Sequence, residues 1–278
     1  MWIDTHAHLD VWSAPENQNM AAQAAAAGVQ QVLIPAVEPA NFAAVQSLAH
    51  SLGYGYALGI HPMYVAQAGA SALAQLEAAL HAQAHDPHLL AVGEAGLDFF
   101  LPQLRTDPLR QQQIAVFEAQ IRLAKKQRLP LVLHVRQSVD AVLKALRQAH
   151  FDCGGIAHAF NGSMQQAGQF LDLGFKLGFG GACTHSRATH LQDLARRLPP
   201  EAIVMETDSP DMPPAWAYTA KQLREQGKVQ APNTPLQLPR IGAFVADLRG
   251  LTAADWAAQT AANACAALPR LRALLSAF

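Results

Sequence analysis

Cysteine is nearly absent from this chain of 278 residues: Cys153, Cys183 and Cys265 are an odd number, widely spaced, with no CxxC pair. That excludes a disulfide framework and a cysteine-based zinc finger, and it suits a reducing compartment. Charge is scarce too, at 15% of residues, and nearly cancels to a formal net charge of −1. So even a balance excludes a strongly basic nucleic-acid coat, although a bound metal can still make a site locally positive. No apolar run is long enough to span a membrane, and the alanine-rich stretch 20–27 is short and interrupted. The N-terminus shows neither a basic segment nor the apolar one of a signal peptide, so a cytoplasmic protein without membrane association is expected. A GxGxxG after an early strand is also missing, which weakens a dinucleotide-binding open sheet.

What is present is a chain 51% hydrophobic, enough for a sizeable core, in which short apolar runs alternate with longer helical stretches. After an opening strand at Trp2-Ile3, the pattern predicts a helix over 17–27 stopped by Gly28, and a strand over Val29–Pro35. A helix from Asn41 to about Ser51, a strand over Tyr54–Ile60, a helix from Ser71 to about Ala84 and a strand over Leu89–Val92 follow. Then come a helix from Pro108 through Lys126, a strand over Leu131–Leu133, a helix over 139–150 and a strand at Ile156-Ala157. A helix from Ser163, a strand over Phe175–Leu177, a helix over 188–198 and a strand over Ile203–Met205 complete eight units. A long proline-rich loop leads to helices near 236–248, 253–266 and 268–276. Eight strand–helix units without a break in composition predict one (β/α)₈ TIM-barrel domain over 1–278, with a doubly wound sheet as the competitor.

Barrels of this kind carry their active sites at the C-terminal ends of the strands. Of twelve histidines, His6, His8, His61, His134 and His158 fall at such ends. The other seven lie in helices or outer loops. Among carboxylates, Glu94 follows the fourth strand and Asp208 the eighth. His6 and His8 are two apart in an extended segment and so point the same way. With Glu94, His134, His158 and Asp208 they make six ligand-type side chains at one mouth, more than one tetrahedral metal needs and suited to two metals sharing a carboxylate.

Other candidates stay open. His61 could be a ligand, a proton shuttle or a phosphate partner, or simply end a strand at the His-Pro turn. Arg136, two residues past His134, could hold a phosphate as a bidentate donor, or pair with an acid on the rim. Asp98 could orient a ligand histidine or only fix its turn. Gly162, Gly178, Gly180 and Gly181 most simply permit tight turns. His81 and His85, at i and i+4 with Glu77 a turn earlier, have a chelating spacing, but HAQAHDPH reads better as a solvated helix end.

DTHAHLD, GIHP, GEAGLD, LHVR, HAFNGS and ETDSP, in this order, resemble the TatD-type metal-dependent hydrolases, barrel enzymes with relatives acting as deoxyribonucleases. The resemblance runs from residue 3 to about Asn263. It implies that His6, His8, Glu94 and Asp208 bind one metal and that Glu94 bridges to a second, held by His134 and His158. Three positions depart from the family pattern: Asn161 replaces a usual serine, Ala95 a larger aliphatic residue, and Ala159 a usual cysteine or glycine. No arginine stands close before Asn233-Thr234-Pro235, Arg224 being the nearest. These changes bear on specificity more than on hydrolysis.

The implied enzyme is a two-metal phosphodiesterase acting on DNA, single-stranded or at 3′ ends, as an exonuclease. Metal-activated hydroxide would be the nucleophile and Asp208 the general base, with Glu94 as bridge. Arg136 and His61 are the candidates for clamping phosphate. Mixed histidine and carboxylate ligation suits Zn or Mn better than Mg. The alternative is a small-molecule ester, amide or lactone hydrolase, towards which the near-neutral charge leans, since no cluster of lysines and arginines stands out and the pair Lys125-Lys126 is isolated on a helix. A non-catalytic metal-stabilised binding protein is the third reading, opposed by the retained Asp208. A monomer is expected.

Overall fold

In the computed structural model, which describes residues 1–275, apolar runs and alanine- and glutamine-rich stretches become strands and helices in strict alternation. Strands β1 (Trp2–Asp4), β2 (Val29–Pro35), β3 (Gly55–Leu58) and β4 (Leu89–Asp98) are separated by helices α1 (Ala14–Ala26), α2 (Phe42–Leu52) and α3 (Ala72–Ala82). The second half repeats the unit with α4 (Leu109–Gln127), β5 (Leu131–Arg136), α5 (Val139–Gln148), β6 (Gly155–Ala157) and α6 (Met164–Asp172). It continues through β7 (Phe175–Phe179), α7 (Thr189–Arg197) and β8 (Ile203–Met205). The proline-rich loop holds the short α8 (Lys221–Glu225), and α9 (Leu238–Arg249), α10 (Ala253–Ala267) and α11 (Leu271–Leu275) follow. Position 276 of the last expected helix lies outside the described residues.

All neighbouring strands are parallel and stand in the order β1 to β8. The seam between first and last strands is closed by the chain just beyond them. Thr5 N–H donates to the Met205 carbonyl at 3.0 Å, Asp208 N–H to that of His6 at 2.9 Å, and His8 N–H to that of Ser209 at 2.7 Å. The buried Asp4 carboxylate ties the same seam, accepting from Thr207 N–H at 2.9 Å and from its hydroxyl at 2.6 Å. This is the expected (β/α)₈ barrel. Ile3, Leu33, Ala57, Val132, Ile156 and Val204 fill its interior, against which Ala264, Leu268 and Leu271 of the C-terminal helices pack. Asn263 donates to the carbonyls of Pro200 and Ile203, and Arg270 to those of Ala84 and Leu89, so α10 and the turn after it close the N-terminal end of the barrel. Among the described residues no helix is long and apolar enough to cross a membrane.

Several boundaries differ from the sequence pattern, and four of them have consequences. β4 runs on through Asp98, and all ten of its residues are buried. Between Val92 and Ala95 it gains one residue on β5, where the partners are Leu131 and Leu133. Ala91 faces the barrel interior, so regular alternation would turn Glu94 outward; the extra residue reverses the parity and brings Glu94 in. β5 likewise extends to Arg136. α1 begins at Ala14, because Ser13 and Glu16 form a capping box (Ser13 N–H to Glu16 Oε2, 2.9 Å) with proline in the first turn. α3 ends at Ala82, which leaves His85 off the helix and removes its i, i+4 relation to His81.

Candidate metal centre

Five imidazoles surround one buried carboxylate at the C-terminal mouth of the barrel. Glu94 Oε2 lies 3.2 Å from His6 Nε2 and 3.3 Å from His8 Nε2. Its other oxygen, Oε1, lies 3.0 Å from His134 Nδ1, 3.2 Å from His158 Nε2 and 3.2 Å from His61 Nε2. Asp208 Oδ1 joins the first group at 3.6 Å from His6 Nε2 and 3.9 Å from His8 Nε2. Asp208 takes a left-handed backbone, φ 57°, a conformation that short polar side chains tolerate. The structure thus gathers all six candidate ligands, with His61, at one place.

The donor spacing tests whether divalent ions fit. Nitrogen and oxygen ligands at about 2.0–2.1 Å from a tetrahedral ion stand about 3.3 Å from one another. The contacts to Glu94 fall within 0.3 Å of that value, as does the 3.2 Å between His6 Nε2 and His8 Nε2. Donor chemistry points the same way. A carboxylate has about four lone-pair sites and could accept from a few protonated rings; the facing Nε2 atoms of His6 and His8 can share one proton or, both deprotonated, direct their lone pairs at one cation. The residues fit divalent cation ligation beside Glu94.

The far nitrogens of the rings fix their roles. His134 Nε2 meets Asp98 Oδ2 at 3.1 Å, so it carries a proton and leaves Nδ1 free to coordinate. Behind His158 stands Glu206, with Oε1 3.6 Å from Nδ1 and accepting from Ala159 N–H at 2.6 Å. His6 stacks on His158, ring centroids 3.9 Å apart, and His6 Nδ1, His158 Nδ1 and Glu206 Oε2 are buried without a hydrogen-bond partner. His61 differs. Its Nδ1 accepts from Met63 N–H at 3.1 Å, so the neutral ring carries its proton on Nε2 and offers a donor, not a lone pair.

Electrostatics follow from burial and crowding. Burial alone would raise Glu94, but the surrounding imidazoles of His61, His6 and His158 outweigh it and hold the carboxyl well below its usual range. Asp208 is pushed up to about 6 by burial, against the pull of His158 and His8. Burial lowers the His6 imidazole far below its ordinary value. His158 is raised well above its own because the carboxylates of Glu94 and Asp208 overcome burial. The pocket demands positive charge around Glu94.

The centre opens into a cavity of about 1310 Å³ whose lining includes Arg136, Asn161, Ala159 and Arg110. Among the described residues Arg136 makes no ion pair with a rim acid; its guanidinium lies over the Phe100 ring, 3.9 Å from the centroid. Ala95 is buried in the core behind Glu94, away from any ligand surface. Arg224 bonds the Tyr218 hydroxyl at 2.8 Å, outside the cavity lining. Glu77 pairs with Lys126 at 2.9 Å, and His81 and His85 form no metal-ligand cluster among the described residues. Sequence reasoning missed Glu206. Its signal was there, since it precedes Asp208 by two, the same spacing that singled out His6 and His8. Gly178 serves that residue: a Cβ there would strike the Glu206 carboxylate, so the glycine makes room and does not form a turn.

Comparison with known proteins agrees with this geometry. The family model described as TatD related DNase matches residues 3–269. The metal-dependent hydrolase YjjV of Escherichia coli K12 is 37% identical over 251 residues, 89% of this chain and 90% of that protein. The 3′-5′ ssDNA/RNA exonuclease TatD of Klebsiella pneumoniae is 32% identical over 251 residues, again 89% and 90% of the two chains. The crystal structure of the E. coli YjjV protein superposes with a TM-score of 0.85 at 34% identity, covering 96% of this chain and 98% of that one. This chain belongs to the TatD related DNase family and is a metal-dependent hydrolase.

Proposed function

We propose that the chain is a two-cation phosphodiesterase that removes nucleotides from the 3′ ends of single-stranded DNA. The observation that carries this reading is the division of Glu94 between two donor sets, Oε2 with His6 and His8, Oε1 with His134 and His158. One cation would be held by His6, His8, Asp208 and Glu94, the other by His134, His158 and Glu94. Two divalent ions, Zn or Mn before Mg with these donors, supply the positive charge that acidifies water and offsets charge on the phosphoryl oxygens.

The chain's own groups do the rest. Asp208 accepts the proton of the attacking water. As the water oxygen bonds to phosphorus, the bond from phosphorus to the departing 3′ oxygen breaks, and that alkoxide takes up a proton. His61 Nε2–H and the Arg136 guanidinium donate to non-bridging oxygens and set the phosphate against Asp208. Support for a nucleic-acid substrate also comes from the relative in Klebsiella pneumoniae named as an ssDNA/RNA exonuclease. A small anionic ester, amide or lactone is the second reading, favoured by a cavity in which Arg110 and Arg136 are the basic residues.

Chelator-stripped protein is expected to release no nucleotide from a single-stranded oligodeoxynucleotide with a free 3′ end, and to regain release on adding Mn or Zn. Reconstituted protein that hydrolyses model esters or lactones but leaves the oligonucleotide intact overturns the nuclease reading.

A further inference from the structure

Just past the end of β4, five and six residues beyond Glu94, the chain places two consecutive phenylalanines at the mouth of the cavity. Phe100 is 44% exposed and lines the cavity. The Arg136 guanidinium lies over one face of the ring, 3.9 Å from its centroid. Phe99 is backed in the same way, with Arg110 at 4.9 Å. The ring is also held in place. Asp98 Oδ1 accepts from Phe100 N–H at 2.8 Å and from Leu101 N–H at 3.3 Å, while Asp98 Oδ2 holds His134 Nε2. Phe99 N–H donates to the Arg136 carbonyl at 2.9 Å, joining the two strands behind the pair.

An exposed aromatic alone is ordinary surface. Here one face is capped by a cation, the backbone is pinned to a candidate ligand, and the position borders the centre. We infer that Phe100, backed by Arg136, is a stacking platform for a nucleobase of single-stranded nucleic acid, next to the phosphate being cleaved; this rests on the nuclease reading. Every base has a π-face, and only an unpaired, unstacked strand end presents it freely, so an aromatic platform selects single strands without reading sequence. The guanidinium strengthens the ring's role twice, by cation–π contact beneath it and by offering N–H groups to the adjoining phosphate.

The test uses the metal-loaded full chain as wild type, Phe100→Ala and Phe100→Trp. Each is given a single-stranded oligodeoxynucleotide ending in an ordinary 3′ nucleotide or in an abasic one. Wild type is expected to favour the ordinary end about tenfold through KM, Phe100→Ala to erase that preference with the loss in KM and not kcat, and Phe100→Trp to keep it. A base-over-abasic ratio that survives Phe100→Ala, or a loss confined to kcat, overturns the platform while leaving the nuclease reading intact. Fluorescence anisotropy with a hydrolysis-resistant phosphorothioate oligonucleotide separates the two failures. If wild type releases no nucleotide, the nuclease reading has failed, and binding that is absent or indifferent to Phe100→Ala then overturns the platform as well.

Discussion

Asp98 gives one oxygen to the His134 ring and the other to the backbone of the turn carrying Phe100. Burial would raise its carboxyl, but the bonds from His134 and from Phe100 N–H outweigh that and lower it, so it stays an anion able to accept on both sides. An asparagine could keep only one of these bonds with an acceptor oxygen, and its NH₂ would face an N–H or force the ring to its other tautomer. Asp98→Asn is therefore expected to weaken metal binding about 10- to 100-fold with the fold retained. Competition with a coloured chelator would read this, and wild-type affinity would show that the ring needs no orienting carboxylate. His61 makes the complementary point. The GIHP motif could not separate ligand from donor, because the distinction lies in the Met63 N–H that occupies Nδ1.

The bulge in β4 and the glycine in β7 shape the centre at the level of the strand. Gly178→Ala would drive a methyl group into the Glu206 carboxylate, which is buried at 1% exposure and bonded to Ala159. Overpacking of this kind costs about 1–3 kcal/mol. For a chain of this size that lowers the thermal midpoint by several degrees, on the order of 2–4 °C per kcal/mol. An unchanged midpoint by calorimetry would mean that Glu206 can move aside freely. Strand and helix order were legible in the sequence because each buried strand is a short apolar run between amphipathic stretches. The limits of β4 were not, since Gly93, Glu94 and Gly96 interrupt the run and resemble a loop. Which face Glu94 takes depends on one extra residue, visible only in the pairing with β5. The six clustered side chains could be listed from strand ends, but their division between two oxygens of one carboxylate is geometry that spacing does not carry.

Across the whole molecule, chemistry and stability occupy opposite ends of the barrel. At the N-terminal end, Asp86 accepts from the Tyr56 hydroxyl at 2.7 Å, lies 2.7 Å from His50 Nε2, and accepts from His88 N–H at 2.9 Å. Burial would raise Asp86, but Tyr56, His88 N–H and His50 together bring it below its ordinary 3.8. A carboxyl lowered by folding stabilises above its unfolded pKa and loses that contribution as pH falls through the folded one. Asp86→Asn should thus lower stability at neutral pH and flatten its decline below about pH 4, in urea titrations across that range. Parallel wild-type and variant curves would remove Asp86 from the acid response.

The seam between first and last strands sets a schedule for the newborn chain. Thr5 and Met205, bonded across it, are 200 positions apart. At synthesis rates of about 5–20 residues per second, about 10–40 s separate the two. The opening histidines, Glu94, His134 and His158 all leave the ribosome before Asp208 exists. A chain stopped short of β8 therefore lacks both the closing strand and the last carboxylate, so barrel closure and the full ligand set arrive together.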